Sequence, residues 1–317
     1  MSGLKAAVVQ AGSIVFDTPR ALDKARAFVQ RAAAAGATLV VFPEAFIGGY
    51  PKGLDFGARV GSRSPEGRED FRRYWDAAIA VPGPGTLALG ELAAGSRLHL
   101  VIGVIERGGG TLYCTSLCFG PDGTLLGKHR KLMPTASERL VWGFGDGSTL
   151  PAIRCDGGTI GMAICWENYM PLFRTAMYAK GVTLWCAPTV DDRETWLPTM
   201  RHIAMEGRCF VLSACQYLRR ADCPAEYHAV QGDDPGTVLI KGGSVIVSPL
   251  GHVLAGPLRD GEGVLVADLD PGEIARGKYD FDVVGHYARP DVFSLVVDER
   301  PRPAVRFADG TEEPGPA

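Results

Sequence analysis

Short apolar runs recur along the chain, none of them long enough to cross a bilayer, and they limit what it can fold into. LKAAVVQ at 4–10, TLVVF at 38–42, LHLVIGVIE at 98–106, TLYCTSLCF at 111–119, TIGMAIC at 159–165, VTLWCA at 182–187 and CFVLSAC at 209–215 each have the length of a buried strand. Helix signals separate several of them. Thr18 followed by Pro19 opens a helix that stops at Gly36, and two more are expected around 67–79 and 86–95. Another runs from about Pro171 to Lys180 ahead of Gly181, and a further one lies near 197–206. Other runs are joined tightly: PDG links TLYCTSLCF to TLLGKHRKL, and DGG links IRC to TIGMAIC, both as hairpins. Short strands at 244–248, 252–255 and 263–268 close the pattern. Crossover helices mixed with hairpins require mixed sheets, and the simplest architecture is two sheets packed face to face with helices outside.

A chain of 317 residues with 46% hydrophobic content can bury a large core, and no low-complexity linker divides it, so one domain over 1–298 is expected. The Pro-rich end, PRPAVRFADGTEEPGPA, reads as a loose tail, taken here from 299 to 317. Between 46 and 66 the glycines and prolines of FIGGYPKGLDFG and SRSPEG give a long ordered loop, and loops of that length in compact domains are usually functional. A net charge of −3 argues against nucleic-acid or anionic-membrane partners. MSGLKAAVVQ enters a strand without a basic, then apolar, leader, which makes a cytoplasmic location the expectation. The eight cysteines, at 114, 118, 155, 165, 186, 209, 215 and 223, contain no Cys-x-x-Cys pair and read as reduced thiols, mostly core.

Cys165 differs from the others. Its apolar run gives way at once to Trp166, Glu167 and Asn168, with a helix a few residues on, so its thiol is placed at a sheet edge near turn N–H groups that stabilise a thiolate. A lone cysteine ending a buried strand is more often a small core hydrophobe. A thiol nucleophile, however, needs a base and a group to receive negative charge. TLVVF runs into Pro43-Glu44, where burial would raise a carboxyl towards the working range, and TLLGKHRKL carries Lys131 near its end. Either charge taken alone is ordinarily just a solvated strand end.

Three segments resolve the choice. FPEAFIGGYP at 42–51, HRKLMPTASERLVWGFGDGS at 129–148 and GMAICWENYMPL at 161–172 resemble, in order and spacing, the three motifs of the nitrilase branch of the carbon–nitrogen hydrolase superfamily, and the similarity extends from about residue 4 to HYARPDVFSL at 286–295. The resemblance implies a four-layer αββα sandwich, with Glu44 as general base and acid, Lys131 as charge stabiliser, Cys165 as nucleophile and Glu138 as a second acidic residue. It implies homodimers that extend into larger oligomers or spirals. The CWEN text is similar to nitrilases, whereas amidase and carbamoylase branches commonly carry Asp at the place of Glu167. Phe144 departs from the polar residue usual between the two glycines there and bears on local pocket polarity.

The implied chemistry suits these residue types. A nitrile carbon is a weak electrophile that a polarizable thiolate attacks well, and the resulting thioimidate can be hydrolysed to acid and ammonia without a metal or organic cofactor. No H-E-x-x-H, P-loop or G-x-G-x-x-G signal is present. Tyr50, His129, Trp166, Pro188 and Thr189 are expected to line the substrate site, Pro188 and Thr189 provided that their strand neighbours the one leading to Cys165. Two other readings stay open: an amidase or cyanide-converting enzyme with the same residues, and a noncatalytic filament or binding scaffold.

Overall fold

The computed structural model describes residues 4–305. Along the chain, β1 (Leu4–Gln10), α1 (Thr18–Ala34) and β2 (Leu39–Val41) precede a small ladder of β3 (Ala58–Arg59) with β4 (Ser62–Arg63), then α2 (Pro65–Ala77) and α3 (Pro84–Ser96). Next come β5 (His99–Gly108), β6 (Thr111–Phe119), β7 (Leu125–Arg130), β8 (Ala152–Cys155), β9 (Gly158–Met162), α4 (Pro171–Ala179), β10 (Leu184–Thr189) and α5 (Trp196–Gly207). The series closes with β11 (Phe210–Cys215), β12 (Tyr217–Arg219), β13 (Val238–Val247), β14 (Val253–Arg259), β15 (Gly263–Leu269) and α6 (Gly272–Lys278).

Two mixed sheets result. One has the order β15-β1-β2-β5-β6-β7 and is parallel across β1, β2 and β5. The other has the order β12-β13-β11-β10-β9-β8, with β14 also on β13, and is parallel across β9, β10 and β11. Alternation along the strands sorts their side chains into layers. Ala7 and Val9 of β1 face Ala25, Phe28 and Val29 of α1, while Ala6 and Val8 face Leu184, Cys186 and Leu212 of the opposite sheet. Trp185 and Ala187 of β10 turn outward onto Phe173 and Met177 of α4 and onto Met200 of α5. The layers are therefore helix, sheet, sheet, helix, the expected αββα sandwich. No helix among the described residues is long and apolar enough to cross a membrane.

Several boundaries differ from expectation. The run TIGMAIC leaves its sheet after Met162, and Cys165, at a positive φ of 51° foreign to strands, opens the 3-10 turn that follows. β13 begins at Val238 rather than at 244, since Gly242 and Gly243, both at positive φ, interrupt its apolar pattern with a register shift. β12 and α6 are too short and too polar to be seen in the pattern. The start of the expected tail is tied down: Lys180 pairs with Glu299, and the Arg302 amide donates to Asp146 Oδ2 at 2.8 Å. Residues 306–317 lie outside the described residues.

Candidate active site

The sandwich brings four segments to one buried point. Glu44 follows β2, and its backbone lies directly on β5 because residue 103 is glycine: a Cβ there would stand 2.4 Å from Pro43 O and 2.6 Å from Glu44 Cα. Gly103 N donates to Pro43 O at 3.2 Å, and Gln216 Nε2 donates to Glu44 O at 2.7 Å, so the backbone of Glu44 is fixed from both sheets. Lys131 is the first residue past β7, its amide still bonded to Cys114 O of β6 at 2.8 Å. Glu138 sits in a 3-10 turn, Ala136–Leu140, and Cys165 opens another, Cys165–Tyr169, three residues beyond the end of β9.

Their side chains meet. Lys131 Nζ donates to Glu44 Oε1 and to Glu138 Oε2, each at 2.8 Å. Glu138 also accepts from the Thr135 amide at 2.6 Å and from the Tyr50 hydroxyl at 2.8 Å. The Thr189 hydroxyl, at the end of β10, donates to Cys165 Sγ at 3.2 Å. Glu44, Lys131 and Cys165 are each 3% exposed or less, so their charges act in a poorly solvated setting where an ion pair is far stronger than in water.

The electrostatics follow from that burial. Desolvation pushes the Glu44 carboxyl above the usual carboxylate range against the pull of Lys131, and the charge of Glu138 pushes the same way. Burial opposes the Lys131 cation, but Glu44, Cys165 and Glu138 outweigh it and hold its pKa well above the ordinary lysine range. Burial first, then the charges of Glu44 and Glu138, push the Cys165 thiol far up, with only partial relief from Lys131 and the Thr189 hydroxyl. Burial thus disfavours the thiolate form of Cys165. The backbone at Cys165, at φ 51°, is strained by about 1–3 kcal/mol, a conformation that persists where surrounding contacts impose it. Asn168 supplies some of them, donating from Nδ2 to Ala163 O at 2.9 Å and to Cys165 O at 2.8 Å.

The weaker expectations divide. Thr189 reaches the sulfur, and β10 does lie beside β9, with Pro188 buried next to Thr189. Tyr50 reaches the site through Glu138 and packs edge-on to Trp142, over whose ring Lys131 Nζ lies 5.5 Å from the centroid. Trp166 is half-exposed at the rim and donates from Nε1 to Asp191 Oδ2 at 2.9 Å. His129 does not present itself to a substrate: it is fully buried, with Nε2 2.9 Å from Glu167 Oε2 and Nδ1 2.5 Å from Thr149 O. Phe144 is exposed in a surface cleft with Arg130, Asp146 and Pro301, apart from the four site residues. Sequence reasoning passed over Gln216, and it left Cys114 as a plain core thiol although its Sγ lies 3.7 Å from Glu44 Oε1. Only the strand partner of Lys131 could have pointed to Cys114. Among the described residues no group of three or more His, Cys, Asp or Glu side chains is arranged to hold a metal ion.

The family model described as carbon-nitrogen hydrolase matches residues 5–279. The chain is 60% identical over 301 residues to a nitrilase of Bradyrhizobium diazoefficiens, covering 95% of this chain and 94% of that one. It is 60% identical to an aliphatic nitrilase of Sinorhizobium fredii (96% and 99% covered) and 58% identical to a bifunctional nitrilase/nitrile hydratase of Lupinus angustifolius (97% and 90% covered). Among solved structures, Nit3 of Saccharomyces cerevisiae, a member of branch 10 of the nitrilase superfamily, superposes with a TM-score of 0.68 at 24% identity (90% and 96% covered). An amidase from Nesterenkonia sp. does so at 0.64 and 21% (87% and 95% covered), and these two likenesses speak for the fold alone. The match over most of its length and the identity to these relatives place the chain in the carbon–nitrogen hydrolase family.

Proposed function

We propose that the chain hydrolyses small organic nitriles to carboxylic acid and ammonia, with Cys165 as nucleophile. The observation that carries this reading is the buried cluster of Glu44, Lys131 and Glu138 with the buried Cys165 thiol near enough to feel the charge of each, in a chain 60% identical to proteins named nitrilases. Glu44 takes the thiol proton as sulfur adds to the nitrile carbon. Lys131 and the Trp166 amide, one of the free N–H groups that open a helical turn, stabilise the charge that builds on nitrogen. The product is a thioimidate. Glu44 then delivers a water to it, giving a carbon that bears nitrogen, oxygen and sulfur. Loss of ammonia leaves a thioester, which a second water cleaves to acid and free Cys165. Loss of sulfur instead releases an amide, the second activity in the name of the lupin relative.

Ammonia release from a panel of aliphatic, arylaceto and aromatic nitriles, each beside its matched amide and with cyanide included, tests the reading. Turnover of nitriles with slow or absent turnover of amides is expected. Turnover of amides alone would reassign the chain as an amidase, and no turnover of any of them, with Cys165 no faster than the other thiols towards iodoacetamide, would leave a noncatalytic scaffold.

The same reading includes a homodimer that associates further and a reducing compartment such as the cytoplasm, for which the eight unpaired thiols speak. Segments 57–75 and 219–237 pack on one another through Arg73 and Glu226 while leaving Val60 and Val230 exposed, apolar groups that suit a second copy. Light scattering at micromolar protein is expected to give at least twice 33.8 kDa; a monomer would remove this part of the reading.

A further inference from the structure

Glu167 is buried between the two sheets and carries more hydrogen bonds than a turn residue needs. Oε1 accepts from the Leu132 amide at 2.6 Å, and Oε2 accepts from the Ile164 amide at 2.8 Å. Leu132 is the neighbour of Lys131, and Ile164 is the neighbour of Cys165. One carboxylate therefore spans from the segment of the first sheet that carries the ammonium to the elbow of the second sheet that carries the thiol. Its charge is met by His129, whose Nε2 lies 3.1 and 2.9 Å from the two oxygens. The ring faces the Glu167 carboxyl at Nε2 and Thr149 O at Nδ1, partners that favour the doubly protonated ring against its burial. His129 lies two residues before Lys131 on β7 and so shares its face of the strand. A brace whose only task was to hold the sheets together could attach anywhere along them; this one attaches at the two peptide groups next to the reacting side chains.

We propose that Glu167, with His129 as its counter-ion, is the positioning residue that sets the spacing between Cys165 and Lys131 and thereby the choice of bond broken in the tetrahedral intermediate. This rests on the nitrile reading above. When the two segments are held at this spacing, Glu44, kept in place by its pair with Lys131, gives a proton to the nitrogen, the C–N bond breaks, and ammonia leaves a thioester. When the two segments drift apart, the C–S bond breaks first, Cys165 recovers its proton, and the amide is released. Geometry off by an ångström is worth about a hundredfold in rate, and the two exits need not suffer equally.

The experiment compares wild type, Glu167→Asp, Glu167→Gln and His129→Gln on an unbranched aliphatic nitrile, with acid, amide and ammonia measured together during early turnover. Glu167→Asp is one methylene too short to reach both amides, while Glu167→Gln keeps the reach but loses the charge and one acceptor. Each variant is expected to lower kcat about tenfold or more with KM nearly unchanged, and to raise the amide share about threefold or more. The acid-to-amide ratio does not depend on how much protein is folded, so even a poorly folding variant reports on the proposal. An unchanged ratio, with activity lost only in proportion to titratable Cys165, would make Glu167 a structural brace and overturn it. Should wild type act on the matched amide and not on the nitrile, the nitrile reading alone fails. The positioning role is then read on the amide, as a kcat loss per titrated Cys165 at constant KM or as no such loss.

Discussion

Lys131 holds one oxygen of Glu44 and leaves the other free: Nζ lies 2.8 Å from Oε1, while Oε2 is buried with no hydrogen-bond partner among the described residues. An orphaned buried acceptor ordinarily costs about 1–3 kcal/mol. Here it has a use, because Oε2 can accept a proton without breaking the ion pair at Oε1. The Cys165 thiol is buried close by and weakly opposes the rise of the Glu44 pKa.

Glu138 raises the Glu44 pKa by its charge and holds Lys131 from the other side. Glu138→Gln keeps the size and removes the charge, so kcat is expected to fall more than about tenfold. The proposed mechanism uses Glu44 ionised, and loss of a neighbouring negative charge lowers its pKa. The acid limb of kcat/KM is therefore expected above the ordinary carboxylate range in wild type and at lower pH in the variant. Activity within about twofold of wild type and an unmoved limb would make Glu138 an ordinary structural acid.

Thr189 gives the sulfur a hydroxyl donor at 3.2 Å and accepts from the Asp191 amide at 2.9 Å. Thr189→Val preserves the shape and removes the donor as negative charge forms on sulfur. A loss of about tenfold in kcat, near the value of one hydrogen bond to a charged group, is expected from steady-state kinetics. An unchanged kcat would show that the hydroxyl serves the strand end alone.

The layers were legible in the sequence because apolar runs of strand length and helix caps are local signals. The burial of Glu44, Lys131 and Cys165 and the pairing of the first two accord with an expectation drawn from the text around them. Gln216, which fixes the Glu44 backbone from 172 positions away, leaves no local mark. His129 was misread for a related reason: nothing in HRKL says that the ring faces Glu167, 38 positions on, rather than the substrate. Cys165 was placed on a strand because its apolar run continues through residue 164, and the turn at positive φ that it opens is held by Asn168, itself fixed from 17 positions away by Trp185 Nε1 at 2.8 Å.

The charge on His129 predicts how stability depends on pH. Burial disfavours the imidazolium, but Glu167 and Thr149 O outweigh it, so the folded-state pKa is raised above the ordinary histidine value. The sign follows: the pair's contribution is complete below the unfolded pKa, about 6.5, and is lost as pH rises through the higher folded value. His129→Leu strands the Glu167 charge and should cost about 3–5 kcal/mol in acid, measured by urea unfolding near pH 6. The gap between wild type and variant should narrow in alkali. A gap independent of pH would mean that His129 is neutral in the folded protein.

Substrate electronics should steer the same partition that Glu167 is proposed to control. An electron-withdrawing group α to the nitrile lowers the basicity of the nitrogen in the tetrahedral intermediate, which opposes loss of ammonia. Acid is expected to dominate for plain nitriles, with the amide share rising through an α-hydroxy to an α-fluoro series. NMR of both products during early turnover, with the amide also fed separately, reads this directly. A flat ratio would show that nitrogen basicity does not control the exit, and amide alone from every substrate would make the chain a hydratase.

The most direct test of Cys165 as nucleophile is to quench wild-type protein in acid during turnover of an aliphatic nitrile and locate any added mass by peptide mass spectrometry. The account predicts an acyl or imidoyl group on the peptide containing Cys165, and no adduct and no turnover in folded Cys165→Ala. Turnover that persists in Cys165→Ala, or an adduct carried by Cys114 in place of Cys165, would contradict it.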